Sequence, residues 1–255
     1  MDATTSQPGS SSLQQPDYWW HRARAGLLRE VFAPYVGQPR RVLDVGSADA
    51  PSVGWLRGSH RSVSLDLFTE GLVPGEGVCG SVTALPFASG TFDVVGAFDV
   101  VEHCANDHLA VSELARVVEP GGRVLLSVPA YPWAWSDHDV RAGHHRRYTR
   151  PQVVALVRGA GLTVVRATYA FAGVFPLFVG ERAWRRIRGR RPARAAGPGA
   201  SRGAEPDGRR LPQVSATQDR ILMGVSGLDR RVLGRGDLPF GSSVFVAAVK
   251  PEESG

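Results

Sequence analysis

Apolar residues along this chain fall into short blocks whose spacing switches between two periods, and turn-forming residues separate the blocks. From Asp17 to Tyr35, Trp19, Trp20, Ala23, Leu27, Leu28, Val31 and Phe32 recur three and four positions apart. That spacing predicts an amphipathic helix stopped by Pro34 and by Gly37-Gln38-Pro39. Apolar runs at Arg41 to Val45, Arg61 to Leu65, Gly77 to Gly80, Thr91 to Phe98 and Arg123 to Val128 predict strands, the third weak and the fourth central. Helices are predicted over Pro51 to Arg57 and over Asp107 to Val118, the second stopped by Glu119-Pro120-Gly121-Gly122. Another helix covers Pro151 to Gly159 with Thr149 as its N-cap, and Leu162 to Ala170 then alternates like a strand. Phe171 to Arg188 and Gln218 to Leu233 read as helices, and Ser243 to Val249 as the last strand.

Strands alternating with helices at this rhythm predict an α/β fold with a parallel, doubly wound sheet. The last strand pairs most economically with Leu162 to Ala170, so the seven-stranded sheet closes with a reversed final strand. The residues between those two strands then form an inserted helical cap. The expected organisation is a disordered tail over 1–16, a Rossmann-like domain with its N-terminal helix over 17–170, a cap over 171–240, and a completing strand and tail over 241–255. Within the cap, the Arg/Pro/Gly-rich stretch 189–212 reads as a disordered loop.

Composition changes this picture little. The two cysteines, Cys79 and Cys104, have no C-x-x-C spacing, which excludes a disulfide framework and fits a reducing cytoplasm. The Ser/Gln-rich N-terminus lacks a secretory pattern, and no apolar run reaches the roughly 18 residues of a membrane span. The net charge of +6 is local: between Glu181 and Arg210, ten arginines face three acids. A basic segment without interleaved aromatics reads as a solvated linker and not as a nucleic-acid interface.

In an open α/β sheet, ligands bind beyond the carboxyl ends of the strands. The first strand runs into Asp44-Val45-Gly46-Ser47-Ala48-Asp49-Ala50, a small-residue turn before a helix, where backbone can approach a ligand. Asp66 follows 22 residues after Asp44, at the end of the second strand, about where an acid meets ribose hydroxyls. Leu67 or Phe68 can pack on an adenine face, and the backbone around Ser81 and Val82 can meet its edge.

These residues, with Ala-Leu-Pro-Phe at 84–87, Thr-Phe-Asp-Val-Val at 91–95, Asp-Val-Val-Glu-His at 99–103 and Pro-Gly-Gly-Arg-Val at 120–124, resemble the class I S-adenosylmethionine-dependent methyltransferases. The small-molecule branch with type 11 methyltransferase domains is most similar, over roughly residues 40–170 plus the last strand. The resemblance implies S-adenosylmethionine as cofactor, held by Asp44, Gly46, Ser47, Ala48, Asp66, Leu67, Ser81, Val82, Asp99 and Val100. Of the family's three loop glycines this chain keeps Gly46, with Ala48 and Ala50 at the other two positions, and Ser81 stands where an adenine-contacting Asp is common.

The stretch from Pro129 to Thr149 follows the fifth strand and holds three of the chain's seven histidines among aromatics. Methyl transfer needs an in-line nucleophile and, for a hydroxyl or ammonium, a proton acceptor, which neutral imidazole provides near pH 7. His138, His144 and His145 are therefore the candidate bases or positioning groups, with Tyr148 and Arg146 as orienting donors and His103 as the other candidate base. Tyr131, Trp133, Trp135 and Arg146 are the candidate substrate contacts, while Glu102 reads as structuring the helix start. His138, Asp139, His144 and His145 could offer metal ligands, but spacing alone assigns no metal. The apolar start of the cap, followed by arginines, could cover a greasy substrate or make a weak peripheral membrane contact.

The sequence thus predicts a cytoplasmic methyltransferase acting on a hydroxyl or amine of a small molecule such as a secondary metabolite, glycoside or lipid-linked intermediate. Two alternatives stay open: a non-methylating enzyme on the same scaffold, performing a cyclisation or decarboxylation, and a nucleic-acid-binding protein. Oligomeric state is not legible.

Overall fold

The structure, a computed structural model, describes residues 15, 17–46, 55–56, 61–69, 72, 77–188 and 213–252. Seven strands form one sheet in the order β3-β2-β1-β4-β5-β7-β6. They are β1 (Arg41–Val45), β2 (Arg61–Asp66), β3 (Gly77–Cys79), β4 (Phe92–Phe98), β5 (Val118–Pro129), β6 (Thr163–Ala170) and β7 (Ser243–Val249). The first five pair in parallel, and β7 runs antiparallel to both β5 and β6, so the reversed closing strand is as predicted. The near-continuous apolar runs have their cause here: Val42, Leu43, Val95, Leu125 and Val246 are fully buried between helical layers.

The helices are α1 (Trp19–Val36), α2 (Asp107–Val117), α3 (Asp137–Ala142), α4 (Arg150–Gly159), α5 (Phe175–Ile187) and α6 (Ala216–Leu233). Their N-termini follow capping chemistry. Asn106 accepts from the Leu109 amide at α2, while Thr149 with Gln152 and Ser215 with Gln218 form capping boxes at α4 and α6. Helix α6 lies along α1, where Arg22 pairs with Asp219 and Arg230 reaches Glu30 at 3.9 Å.

Four expectations are corrected. Pro34 lies inside α1, which ends only at Gly37 with φ 63°; near the C-terminus the missing amide costs one hydrogen bond and the ring's φ suits a helix. Helix α2 passes directly into β5, which begins at Val118 and not Arg123. Val118 pairs with Phe92, and the Glu119–Gly122 stretch shifts the register with Gly121 at φ 78°. The cap helix starts at Phe175, because Phe171 adopts φ 63° and breaks the chain direction first. The 129–149 stretch, for which the spacing predicts no regular element, holds a 3-10 turn at Pro132–Ala134 and helix α3. The predicted turn residues 47–50, most of the 51–57 helix, the tail 1–14 and the 189–212 loop lie outside the described residues.

Asp93 explains one of the sequence motifs structurally. Its Oδ2 accepts from the Arg40 and Arg41 amides at 2.5 and 2.6 Å, tying β4 to the entry of β1. Burial pushes the Asp93 carboxyl up, but bonds from the Arg41 amide, Glu119 and Arg40 outweigh it and hold it below its usual value. A folded-state value below the unfolded one means stability that is present above the unfolded pKa and lost as pH falls. Asp93→Asn should therefore cost about 1–2 kcal/mol near neutral pH. It should also flatten the loss of stability below about pH 4, read from denaturant unfolding over a pH series.

Candidate active site

The carboxyl ends of β1, β2, β4 and β5, with the end of β6 beside β7, face one edge of the sheet. Four residues at this edge have left-handed backbone: Gly46 (φ 75°), Asp99 (φ 57°), Tyr131 (φ 63°) and Phe171 (φ 63°). They follow β1, β4, β5 and β6. Non-glycine residues in this region cost about 1–3 kcal/mol each and persist only when surroundings enforce them, a pattern concentrated at functional sites.

At the β1 end, Asp44 is buried, and the Gly46 amide donates to the Leu65 carbonyl at 2.8 Å, which closes the turn against β2. A Cβ at Gly46 would lie 2.4 Å from Cγ2 of Val100, so the backbone here is bare on the side facing the β4 loop. Gly46→Ala combines a disfavoured φ, about 1–2 kcal/mol, with that clash. It should weaken nucleoside binding at least about ten-fold in calorimetry. Asp66 ends β2 nearly buried, and its Oδ1 accepts from the Phe68 amide at 3.0 Å. Leu67 and Phe68 beside it are exposed apolar side chains. Gly80 donates to the Asp66 carbonyl at 2.9 Å, placing Ser81 and buried Val82 next to this carboxylate. Ser81 Oγ bonds Thr83 Oγ1 at 2.8 Å. Ser47 and Ala48 lie outside the described residues.

The β4 end is organised by a residue the sequence reading missed. Arg24 of α1 is 1% exposed, and its Nε and Nη2 both stand 2.7 Å from Asp99 Oδ2. Arg24 also donates to the Phe98 carbonyl, and Ser127 Oγ reaches Asp99 Oδ1 at 3.0 Å. The strained Asp99 is thus clamped by β5 and α1. Its signal in the sequence was a single arginine on the apolar stripe, three and four residues before Leu27 and Leu28.

Val101–His103 forms a 3-10 turn after Val100. Glu102 is fully buried, and neither carboxylate oxygen has a hydrogen-bond partner. Burial and the nearby Asp99 charge push its carboxyl well up. His103 keeps an edge open to solvent, and its ring meets His144 edge to face at 4.7 Å between centroids. Packing around its ring and the neighbouring His144 push the His103 imidazole below its ordinary value.

His144 is fixed from behind. Asp139, fully buried in α3, accepts from the Ser136 amide (2.8 Å), from Arg147 Nε (2.6 Å) and sits 2.9 Å from His144 Nδ1. Burial alone would raise the Asp139 carboxyl, but the bonds from His144 and Arg147 hold it well below the usual range. The Ser136-x-x-Asp139 spacing is a capping box and was the available sequence signal.

The remaining candidates fall in three places. His138 is exposed, with its ring 6.3 Å from His144. His145, Trp135, Arg146 and Tyr148 line a separate open cleft of about 650 Å³. Tyr148 is buried, donates to Asp107 Oδ2 at 2.9 Å and is pushed up by burial and the Asp107 charge. Arg146 is 2.8 Å from the same carboxylate. Tyr131 stacks on Tyr169 (5.3 Å) and Trp133 (5.5 Å) and meets Phe175 of the cap, so the cap and this loop share one aromatic wall. Arg182 of α5 donates to the Ala134 carbonyl at 3.0 Å.

A parallel sheet with one reversed strand, β7, is a Rossmann-like fold of the methyltransferase type. Residues 43–126 match the methyltransferase domain family. Over 120 residues the chain is 35% identical to a malonyl-[acyl-carrier protein] O-methyltransferase of Erwinia billingiae, covering 42% of this chain and 48% of that protein. It is 34% identical over 116 residues to a demethylmenaquinone methyltransferase of Mycobacterium tuberculosis, covering 43% and 47%. The match spans about half the length of these relatives. The fold is similar to the Haloferax volcanii protein solved with the Trm112 methyltransferase activator (TM-score 0.56, 17% identity, 96% of each chain). It is also similar to the [4+2]-cyclase SpnF (TM-score 0.55, 18% identity, 97% and 85%). Residues 43–126 thus resemble a methyltransferase domain, on a sheet of the Rossmann-like methyltransferase type. The residues present fit the cofactor, because the bare Gly46 turn and the Asp66 carboxylate stand at adjoining strand ends.

Proposed function

We propose that this protein transfers a methyl group from S-adenosylmethionine to a hydroxyl or amine of a small molecule, in the range of secondary metabolites, glycosides and lipid-linked intermediates. The observation that supports this reading is the convergence of Gly46, Asp66, Asp99 and the His103–His144 pair on one edge of the sheet. Asp66 would hold the ribose hydroxyls, Leu67 and Phe68 would cover the adenine with Ser81 and Val82 at its edge, and Gly46 and Val100 would flank the rest. The bound cofactor supplies an electrophilic methyl on a sulfonium.

The chain must then add position and a place for the acceptor's proton. His103, whose imidazole is pushed below its ordinary value and so is neutral near pH 7, meets His144 edge to face, and Asp139 fixes the ring of His144 through Nδ1. Tyr131, Trp133 and Phe175 offer a flat wall for an acceptor with an aromatic or apolar body. The exposed Leu177, Trp184 and Ile187 of α5 support a weak peripheral membrane contact; recovery of all the protein in the supernatant after sedimentation with anionic vesicles would remove it. No helix among the described residues is long and apolar enough to cross a membrane. Cytoplasmic residence suits the free Cys79 and Cys104.

The test is incubation with methyl-labelled S-adenosylmethionine and a panel of hydroxyl and amine acceptors. Label in the product, matched by S-adenosylhomocysteine, is the expected result. Turnover that yields an unlabelled product would assign a cyclisation or decarboxylation on this scaffold instead.

A further inference from the structure

We infer that Glu102, His103 and His144 form a binding site for a first-row divalent metal cation. Three independent observations carry this. One ligand atom from each of the three side chains lies within 4.8 Å of the other two, close enough for small side-chain rotations to bring all three onto one ion. Glu102 is fully buried with both oxygens unpartnered, although a buried carboxyl without a partner ordinarily costs about 1–3 kcal/mol and calls for an explanation. His144 is braced as metal-bound histidines are: its Nδ1 faces the Asp139 carboxylate at 2.9 Å, and Arg147 and Ser136 hold that carboxylate in turn.

The donor set is two imidazoles and one carboxylate, which suits Zn²⁺, Mn²⁺ or Fe²⁺ better than Mg²⁺ or Ca²⁺. Three protein ligands leave coordination positions open, and His103 is accessible from solvent, so an acceptor oxygen could complete the shell. This set differs from the His138, Asp139, His144 and His145 grouping that sequence spacing suggests. Asp139 is spent on Arg147, and His145 lines the separate cleft. The role offered to the cation, holding and acidifying an acceptor hydroxyl, rests on the methyl-transfer reading; its binding does not.

The experiment is equilibrium dialysis of the EDTA-treated full-length protein against Zn²⁺ and, separately, Mn²⁺. Wild type should retain one equivalent of at least one of these ions. Glu102→Gln should weaken that binding at least ten-fold, and so should His103→Ala, whose open position makes misfolding no explanation. His108→Ala, a histidine outside the cluster, should leave it unchanged. S-adenosylhomocysteine binding, measured on the same samples, reports the cofactor site separately. Retention of S-adenosylhomocysteine without stoichiometric metal overturns the cation site, as does metal binding indifferent to both Glu102→Gln and His103→Ala. Failure of methyl transfer with the metal still bound overturns the activity alone.

Discussion

Asp66→Ala should lower affinity for S-adenosylmethionine and S-adenosylhomocysteine by about a hundred-fold or more while leaving the protein folded. The carboxylate stands at the end of β2, is 8% exposed, and uses Oδ1 to accept from the Phe68 amide. A carboxylate placed against two ribose hydroxyls makes two charge-assisted hydrogen bonds, each worth about 1.5–3 kcal/mol. Losing both corresponds to roughly two to four decades in Kd. Isothermal calorimetry checks the affinity and thermal unfolding checks the fold. Near-normal affinity in the variant would remove Asp66 from the cofactor site.

The second large effect concerns Arg24. Arg24 is buried while the Asp99 side chain is 25% exposed, so truncating the arginine leaves a carboxylate that water compensates only in part. The roughly 3–5 kcal/mol typical of fully buried pairs is therefore an upper bound. Arg24→Met keeps an apolar stem at this buried position and deletes the bonds to Asp99 and the Phe98 carbonyl. For a chain of this length that loss should lower Tm on the order of 10 °C. Because Asp99 keeps a left-handed φ of 57° only while clamped, the loop from Asp99 to His103 should relax as well. Cofactor affinity should then fall together with Tm, and an Arg24→Met protein with unchanged Tm would show the pair to be energetically idle.

Most of the scaffold was legible because its strands are buried on both faces. Runs such as Val94-Val95-Gly96-Ala97 and Val244-Phe245-Val246-Ala247 have no other economical home. The reversed pairing of β7 beside β6 followed from the same economy. Boundaries failed where one side chain's preference is overruled by pairing, as at Val118, which leaves α2 and enters the sheet opposite Phe92 within one residue. In the site, Gly46 and Asp66 could be read because a turn and an acid leave local signatures. The Arg24–Asp99 clamp and the Asp139–His144–Arg147 brace could not, since partners 75 and 8 residues apart meet only after folding. The adjacent His144 and His145 divide between two environments, one braced against His103 and one lining the open cleft. Sequence spacing gives them identical weight, and only the buried Asp139 separates them.

The most direct measurement is a crystal structure of the protein with S-adenosylhomocysteine bound. The ribose should lie within hydrogen-bonding distance of the Asp66 carboxylate, with the homocysteine running over Gly46 toward the Asp99–His103 turn. Nucleoside density anywhere else, or none at saturating ligand, would contradict the placement of the cofactor on which the whole functional reading rests.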